Sequence, residues 1–353
     1  VNIQGIGSTL QKVAQETWTG REVPFGLPLG AFPHVPTTKT GYYKACEPKA
    51  QPPTVSYTGT GAGAALTAFR FLGVGAINTN VHYIGTEAPP TAAMIANAEA
   101  VAGGAKPVIV PVSQTAISVV VHPPANCVFK AGKGITWGEL NKVFGGNGIT
   151  AWNQFSNIEA TVAGACNAAI TRVVRAEASG VTYQFKNYLS VLETTLAAEA
   201  PPCVTAGVGT WGELKSISAT GTPNTVWPQC MGGTAVVTAE GDGALAQKVA
   251  ATEGTIGYSA LPNAKAKGAT SALLQNGVVV GIARYASPEN AVNGTARCLT
   301  PRYTVPVAGR RGAGAGESVD WSQVFGAQPQ IGGTEYPLCT LAFDVGWNNY
   351  DLG

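Results

Sequence analysis

The chain has 353 residues, enough for two domains of ordinary size with full cores. Charged residues make up only 12%, and 22 basic against 20 acidic side chains leave a net charge of +2, which excludes electrostatic capture of nucleic acid or of an anionic membrane. An apolar content of 45% excludes disorder, and the best apolar run, Ile117 to Val121, is far too short to cross a bilayer.

In chain order, residues 1–4 read as a strand, Gly5-Ile6-Gly7-Ser8-Thr9 as a turn and 10–18 as a helix. Residues 19–53 are rich in Pro, Gly and Thr and read as a long ordered loop. The first pattern then repeats: a strand at 54–57, the turn Thr58-Gly59-Thr60-Gly61-Ala62-Gly63, and a helix at 64–71. A third strand, 81–84, runs into Gly85-Thr86-Glu87-Ala88-Pro89-Pro90, and Thr91 caps a helix to 102. Residues 107–122 form one long β-branched strand, long enough to cross between two domains. Thr136 and Glu139 make a capping box for the next helix. The strand Ile170-Thr171-Arg172-Val173-Val174 ends at Arg175, and a small-residue turn leads to a helix opening near Ser179-Gly180. Residues 234–237 read as a turn, 241–250 as a helix, and 254–259 as a strand returning to the first domain. Further strands are expected at 278–282 and 338–345, with a Gly/Arg/Ala loop at 309–316. Strands alternating with helices across short turns imply a mostly parallel α/β sheet.

Seven cysteines are scattered, with no CxxC pair and no His at metal-ligand spacing, so neither a zinc site nor any other metal is expected. Cysteines in a Gly-rich, low-charge chain fit an oxidising compartment. Sequence neighbourhood suggests Cys127–Cys166, Cys203–Cys230 and Cys298–Cys339, leaving Cys46 over. A start at Val1 fits a mature exported chain.

Several motifs carry weaker chemistry. Gly59 to Ala64 satisfies the dinucleotide pattern in form, but Glu87 is too far along for the ribose contact. Gly257-Tyr258-Ser259-Ala260-Leu261 lacks the last Gly of a nucleophile elbow and runs into Pro262, which excludes a hydrolase triad there. His34, His82 and His122 lie in unrelated contexts, and Asn293-Gly294-Thr295 is a formal glycosylation sequon. Arg175 before Ser179-Gly180 is the sharpest signal. A helix N-terminus offers unpaired N–H donors and the positive end of its dipole, and Arg adds a planar fork matched to an oxyanion. Its plainer reading is a helix cap beside a surface Arg. If the turns at Ser8-Thr9, Thr60 to Gly63, Thr86-Glu87 and Arg175 to Gly180 converge, they line a cleft with donors, one Arg and one carboxylate. That set binds a tetrahedral oxyanion, holds no cofactor, and assembles no nucleophile, so no enzyme is expected.

These motifs resemble the substrate-binding proteins of phosphate ABC transporters over most of the chain. Gly5-Ile6-Gly7-Ser8-Thr9-Leu10 is similar to the family's first Gly-rich turn, and Tyr57 to Gly63 to its second. Gly85 to Pro89 and Arg175 to Thr182 resemble two further signatures, as do Thr136 to Leu140, Glu253 to Tyr258, Asp320-Trp321-Ser322 and Tyr336-Pro337-Leu338. The resemblance implies a type II periplasmic-binding-protein-like α/β fold: two lobes, 1–112 plus 258–353 and 113–257, joined by crossing strands near 110–121 and 256–260. It implies a ligand set of Ser8, Thr9, Leu10, Thr60, Ala62, Glu87, Arg175, Ser179, Gly180, Val181 and Thr182 around inorganic phosphate. Glu87 stands where the family has Asp, and Ala62 and Val181 stand where it has hydroxyls. The implied partner is an ABC transporter membrane complex, and the implied location is secreted, periplasmic or cell-surface. The competing expectation is a secreted structural or filament-forming protein that reuses the fold. The chain ends at Gly353, before the family's C-terminal helices; a cut tail, cover by the 19–53 segment, or a second copy with Cys46 as a covalent lock are the alternatives.

Overall fold

The computed structural model describes residues 2–19, 54–145, 148–162, 166–196, 210–216, 223–228, 235–291 and 335–349. The 19–53 loop beyond Thr19, with Cys46, lies outside these residues, as do the Cys203–Cys230 pair, the Asn293 sequon, Asp320-Trp321-Ser322 and the 309–316 loop.

The path begins with β1 (Asn2–Gly7), α1 (Lys12–Thr19), β2 (Thr54–Gly59), α2 (Ala62–Ala68), β3 (Tyr83–Thr86), α3 (Ala92–Glu99) and β4 (Pro107–His122). It continues through β5 (Cys127–Phe129), α4 (Trp137–Gly145), β6 (Ile158–Ala160), β7 (Thr171–Arg175), α5 (Gly180–Leu196) and α6 (Trp211–Leu214). The rest is β8 (Val236–Ala239), α7 (Asp242–Ala251), β9 (Thr255–Ala260), α8 (Leu261–Ala266), β10 (Thr270–Ser271), β11 (Leu274–Val279), β12 (Ile282–Ala286) and β13 (Cys339–Trp347). The described residues fall into two compact units, one of 2–112 with 342–349 and one of 113–291 with 335–341.

In the first unit the strand order is β2-β1-β3-β13. β1 runs parallel to both β2 and β3, and β13 is antiparallel to β3. The glycines of the sequence motif set the spacing of these strands. Gly7 has φ +138, and a Cβ there would sit 2.1 Å from the Gly85 carbonyl oxygen. No L side chain fits that approach. The small residues of α2 do the same for the helix: Ala62, Gly63 and Ala65 are buried, beside the larger buried Leu66. Phe69 stacks on Trp347 with ring centroids 5.2 Å apart.

In the second unit the order is β4-β9-β7-β8, with β10 on β4. β9 pairs antiparallel with β4 and parallel with β7, and all six of its residues are buried. Val120, Val173, Leu245, Val249 and Ala264 form one core cluster. An aromatic cluster of Phe144, Phe185, Trp227 and Tyr258 packs under α5, with Phe185 and Tyr258 stacked at 4.5 Å. The Thr136–Glu139 capping box forms as expected, the Thr136 N–H donating to Glu139 Oε2 at 2.8 Å. The same five letters, Thr-Trp-Gly-Glu-Leu, recur at 210–214 and fold the same way, with the Thr210 N–H donating to Glu213 Oε2 at 2.9 Å. The Cys127–Cys166 bridge is present, with Cα atoms 5.2 Å apart. Cys339 is also disulfide-bonded, and its expected partner Cys298 lies outside the described residues.

The structure corrects three readings. The strand at 255–260 does not return the chain to the first unit, and 258–291 belongs to the second. The reason is pairing: β9 is held on both edges within that unit, and α8 folds back so that Asn263 donates to Asp242 at 2.8 Å. β4 does pass from one unit to the other, after Val112, and the other strand to do so is β13, before Ala342. The segment read as a turn at 234–237 carries β8, whose β-branched residues pair with β7. The single strand expected at 278–282 is a hairpin, β11 and β12, turning at Val280 and Gly281 with φ +51 and +76.

Candidate functional site

In the first unit, the β1–α1 turn meets the chain leaving β3. The Ser8 N–H donates to the Gly85 carbonyl at 2.9 Å, and Tyr57 Oη donates to the Ser8 carbonyl at 3.0 Å. These bonds hold the Ser8 side chain against Glu87: its hydroxyl donates to Glu87 Oε1, and both residues are buried. Ser8 Oγ in turn accepts the Leu10 N–H at 3.1 Å. The second Gly-rich turn lies beside them, with the Gly61 N–H donating to the Gly7 carbonyl at 2.8 Å. Thr9 packs next to Gly59, Thr60 is exposed, and Ala62 is fully buried as the first residue of α2. Burial pushes the Tyr57 phenol well above its usual range, and the negative charges of Glu87 and Asp344 push it further.

In the second unit, Arg175 ends β7 and is buried. Its Nε donates to Glu177 Oε1 at 2.9 Å, and Nη2 donates to the same oxygen. Nη1 donates to Asp242 Oδ1 at 3.2 Å. Each carboxylate is itself held. Glu177 Oε1 accepts the Gly241 N–H at 3.0 Å. Asp242 Oδ2 accepts Ser259 Oγ and the Ala260 N–H at 2.9 Å each, and Asn263 Nδ2 at 2.8 Å. Burial opposes the Arg175 charge, but Asp242 and Glu177 more than reverse it, so its proton is held more tightly than usual. Burial pushes the Asp242 carboxyl upward, while Arg175, Ser259, Asn263 and the Ala260 N–H pull it back. Ser259 is therefore a donor to Asp242.

Helix α5 starts beside this fork. Ser179, Gly180 and Val181 are buried at its N-terminus, and the Ser179 N–H donates to the Thr225 carbonyl at 2.8 Å. Ser179 Oγ accepts the Thr182 N–H at 3.5 Å. The Thr182 hydroxyl faces the core, 2.7 Å from Tyr258 Oη. The structure thus gathers Ser8, Leu10 and Glu87 in one unit, and Arg175, Ser179, Gly180, Val181 and Thr182 in the other. Sequence reasoning passed over Glu177 and Asp242. The Arg-x-Glu spacing was the available signal for the first; nothing local marks the second.

A model of the PBP superfamily domain matches residues 39–317. The chain belongs to the PBP superfamily. No curated protein matches it. Among solved structures, this PBP superfamily member is similar to the high-affinity periplasmic phosphate-binding protein PfluDING, at 18% identity and TM-score 0.59, over 98% of this chain and 80% of that one. It is also similar to a human phosphate binding apolipoprotein, at 20% identity and TM-score 0.57, over 98% and 80%. A phosphate binding protein from Stenotrophomonas maltophilia aligns at 17% identity and TM-score 0.52, over 98% and 78%. At these identities the likeness establishes the two-lobed periplasmic-binding-protein fold. Among the described residues no group of three or more His, Cys, Asp or Glu could hold a metal, and no helix is long and apolar enough to cross a membrane.

Proposed function

We propose that this protein binds inorganic phosphate outside the cytoplasm, as a solute-binding protein for uptake or scavenging, and that it is not an enzyme. The observation that carries the reading is Arg175: a buried guanidinium, fixed by Glu177 and Asp242, at the end of the strand that leads through Ser179 into the 17-residue helix opening at Gly180-Val181. A fixed fork beside helix N–H donors suits a tetrahedral oxyanion. The solved relatives named above are themselves described as phosphate-binding. In the first unit we assign Ser8, Thr9, Leu10 and Glu87 to the ligand, with Glu87 as acceptor for a protonated oxyanion; the Ser8 hydroxyl and the Leu10 N–H must exchange their bonds to Glu87 and Ser8 to reach it. Calorimetric titration with phosphate and sulfate tests this. Binding of phosphate over sulfate is the expected result; no heat with either anion overturns it.

A second reading rests on a specific set of observations. Ala62 and Val181 have no hydroxyl, and that of Thr182 is committed to Tyr258. A site poorer in donors fits a secreted structural protein that keeps the fold without the ligand. Sizing under non-reducing conditions together with the titration separates the two: an assembly that ignores phosphate favours the second.

A further inference from the structure

Behind the Ser8–Glu87 turn the first unit holds another carboxylate. Asp344 on β13 lies in register with Gly85 on β3, the residue whose carbonyl accepts the Ser8 N–H. A chain of polar side chains ties it to the turn. Gln15 Nε2 donates to both Asp344 oxygens, at 2.8 and 2.9 Å. The same amide contacts Gln11 Oε1 at 3.3 Å, and Tyr83 Oη donates to Gln15 Oε1 at 3.2 Å. Gln11 Nε2 donates to the Phe343 carbonyl at 3.1 Å, and its Oε1 would meet any Cβ placed on Gly85 at 2.7 Å. Among the described residues, the groups tied to Asp344 are Gln15 from α1, Tyr83 from β3 and Tyr57 from β2, with Gln11 just ahead of α1 bonded to Gln15. These are two amides and two phenols; none of them is a cation. Tyr57 feels the charges of both Glu87 and Asp344.

We propose that Asp344 makes oxyanion binding at the Ser8–Glu87 turn sensitive to pH: when ionised it adds a negative charge behind Glu87 and weakens binding, and when protonated it removes that charge. This rests on the phosphate-binding reading above. Its physical basis is the low-dielectric setting, where a charge one strand away is poorly screened. Burial pushes the Asp344 carboxyl up to about 6, the Gln15 amide opposing it, so the change falls within an ordinary environmental range. Weakly acidic surroundings then favour capture, and mildly alkaline ones favour release.

The test is phosphate affinity by calorimetry from about pH 5 to about pH 7.5, for the full chain and for Asp344→Asn. The ligand's own titration is common to both proteins and cancels in the comparison. The variant should bind about fivefold tighter than the parent at the alkaline end and equally at the acid end, as expected for loss of one nearby charge. Gln15→Leu is the second variant. It removes the donor that favours the ionised form, so the pH step in affinity should move upward. Parallel profiles for the parent and Asp344→Asn, with no movement of the step in Gln15→Leu, would overturn the inference and leave phosphate binding standing. No phosphate binding by any of the three proteins at any pH overturns the functional reading and this inference with it.

Discussion

Arg175 Nη1 and Asp242 Oδ1 lie 3.2 Å apart, and neither side chain has more than 1% of its surface exposed. Two chain segments 67 residues apart are joined there by opposite charges out of reach of water. Such a pair is costly to assemble and much costlier to break on one side, because the remaining charge is left buried.

Removing the guanidinium should therefore have two effects. Arg175→Ala should weaken phosphate binding by about 3 kcal/mol and lower stability by a similar amount, since Asp242 loses its counter-ion. Arg175→Lys should restore little of the affinity, because a point charge cannot span Glu177 and Asp242 as a fork does. Calorimetry and urea unfolding on the two variants check both statements; unchanged affinity in Arg175→Ala would place the anion elsewhere.

Glu87→Gln should reduce the preference for phosphate over sulfate. A carboxylate accepts the proton of a hydrogen phosphate and repels an oxyanion that has none, whereas an amide offers both an acceptor and a donor. The loss is expected at roughly tenfold in the affinity ratio, about 1.4 kcal/mol. Competition titration reads it directly, and an unaltered ratio would remove Glu87 from selection.

Lys186 gives a pH dependence of stability. It is fully buried on α5, and among the described residues its Nζ donates to backbone carbonyls, those of Leu214 at 2.9 Å and Val226 at 2.7 Å. Burial pushes its ammonium down to about 7 from 10.5. Between these values the unfolded chain binds more protons than the folded one, so stability rises with pH. The contribution is complete above the unfolded value and is lost as pH falls toward about 7. Unfolding in urea at about pH 7 and about pH 9 should differ by roughly 2 kcal/mol from this residue, and Lys186→Met should abolish that difference. A slope that survives in Lys186→Met would assign it to another group.

The bridge between Cys127 and Cys166 closes a loop with a sequence separation of 39. Replacing both by Ser should cost about 3–4 kcal/mol on the chain-entropy model. Thermal unfolding of the double variant measures it. A loss below about 1 kcal/mol would mean that the unfolded chain is already constrained there.

What was legible in the sequence was local. The βα alternation, the capped helix at Thr136, the helix opening at Gly180 and the placing of Arg175 at a strand end follow from hydrophobic period and capping chemistry. Thr-Trp-Gly-Glu-Leu makes the point twice, since both copies cap a helix alike in different surroundings. Ser8 and Glu87, 79 residues apart, were each legible as turn residues following a strand, but the bond between them was not. Other features were decided only by strand order. A buried strand such as β9 has the same apolar signature whether it crosses between units or stays within one; only its partners, β4 and β7, distinguish the two. Asp242 sits at an ordinary helix start and Asp344 in an ordinary strand, and nothing in either neighbourhood marks a carboxylate that the fold buries or half-buries. Asp242 meets Arg175 because β9 lies next to β7 and α7 packs on both strands. Asp344 meets Gln15 because β13 pairs with β3, across 329 residues of chain. Local periodicity sets which faces are apolar, but the partner of a buried charge is chosen by which strands become neighbours, and that is a property of the whole fold.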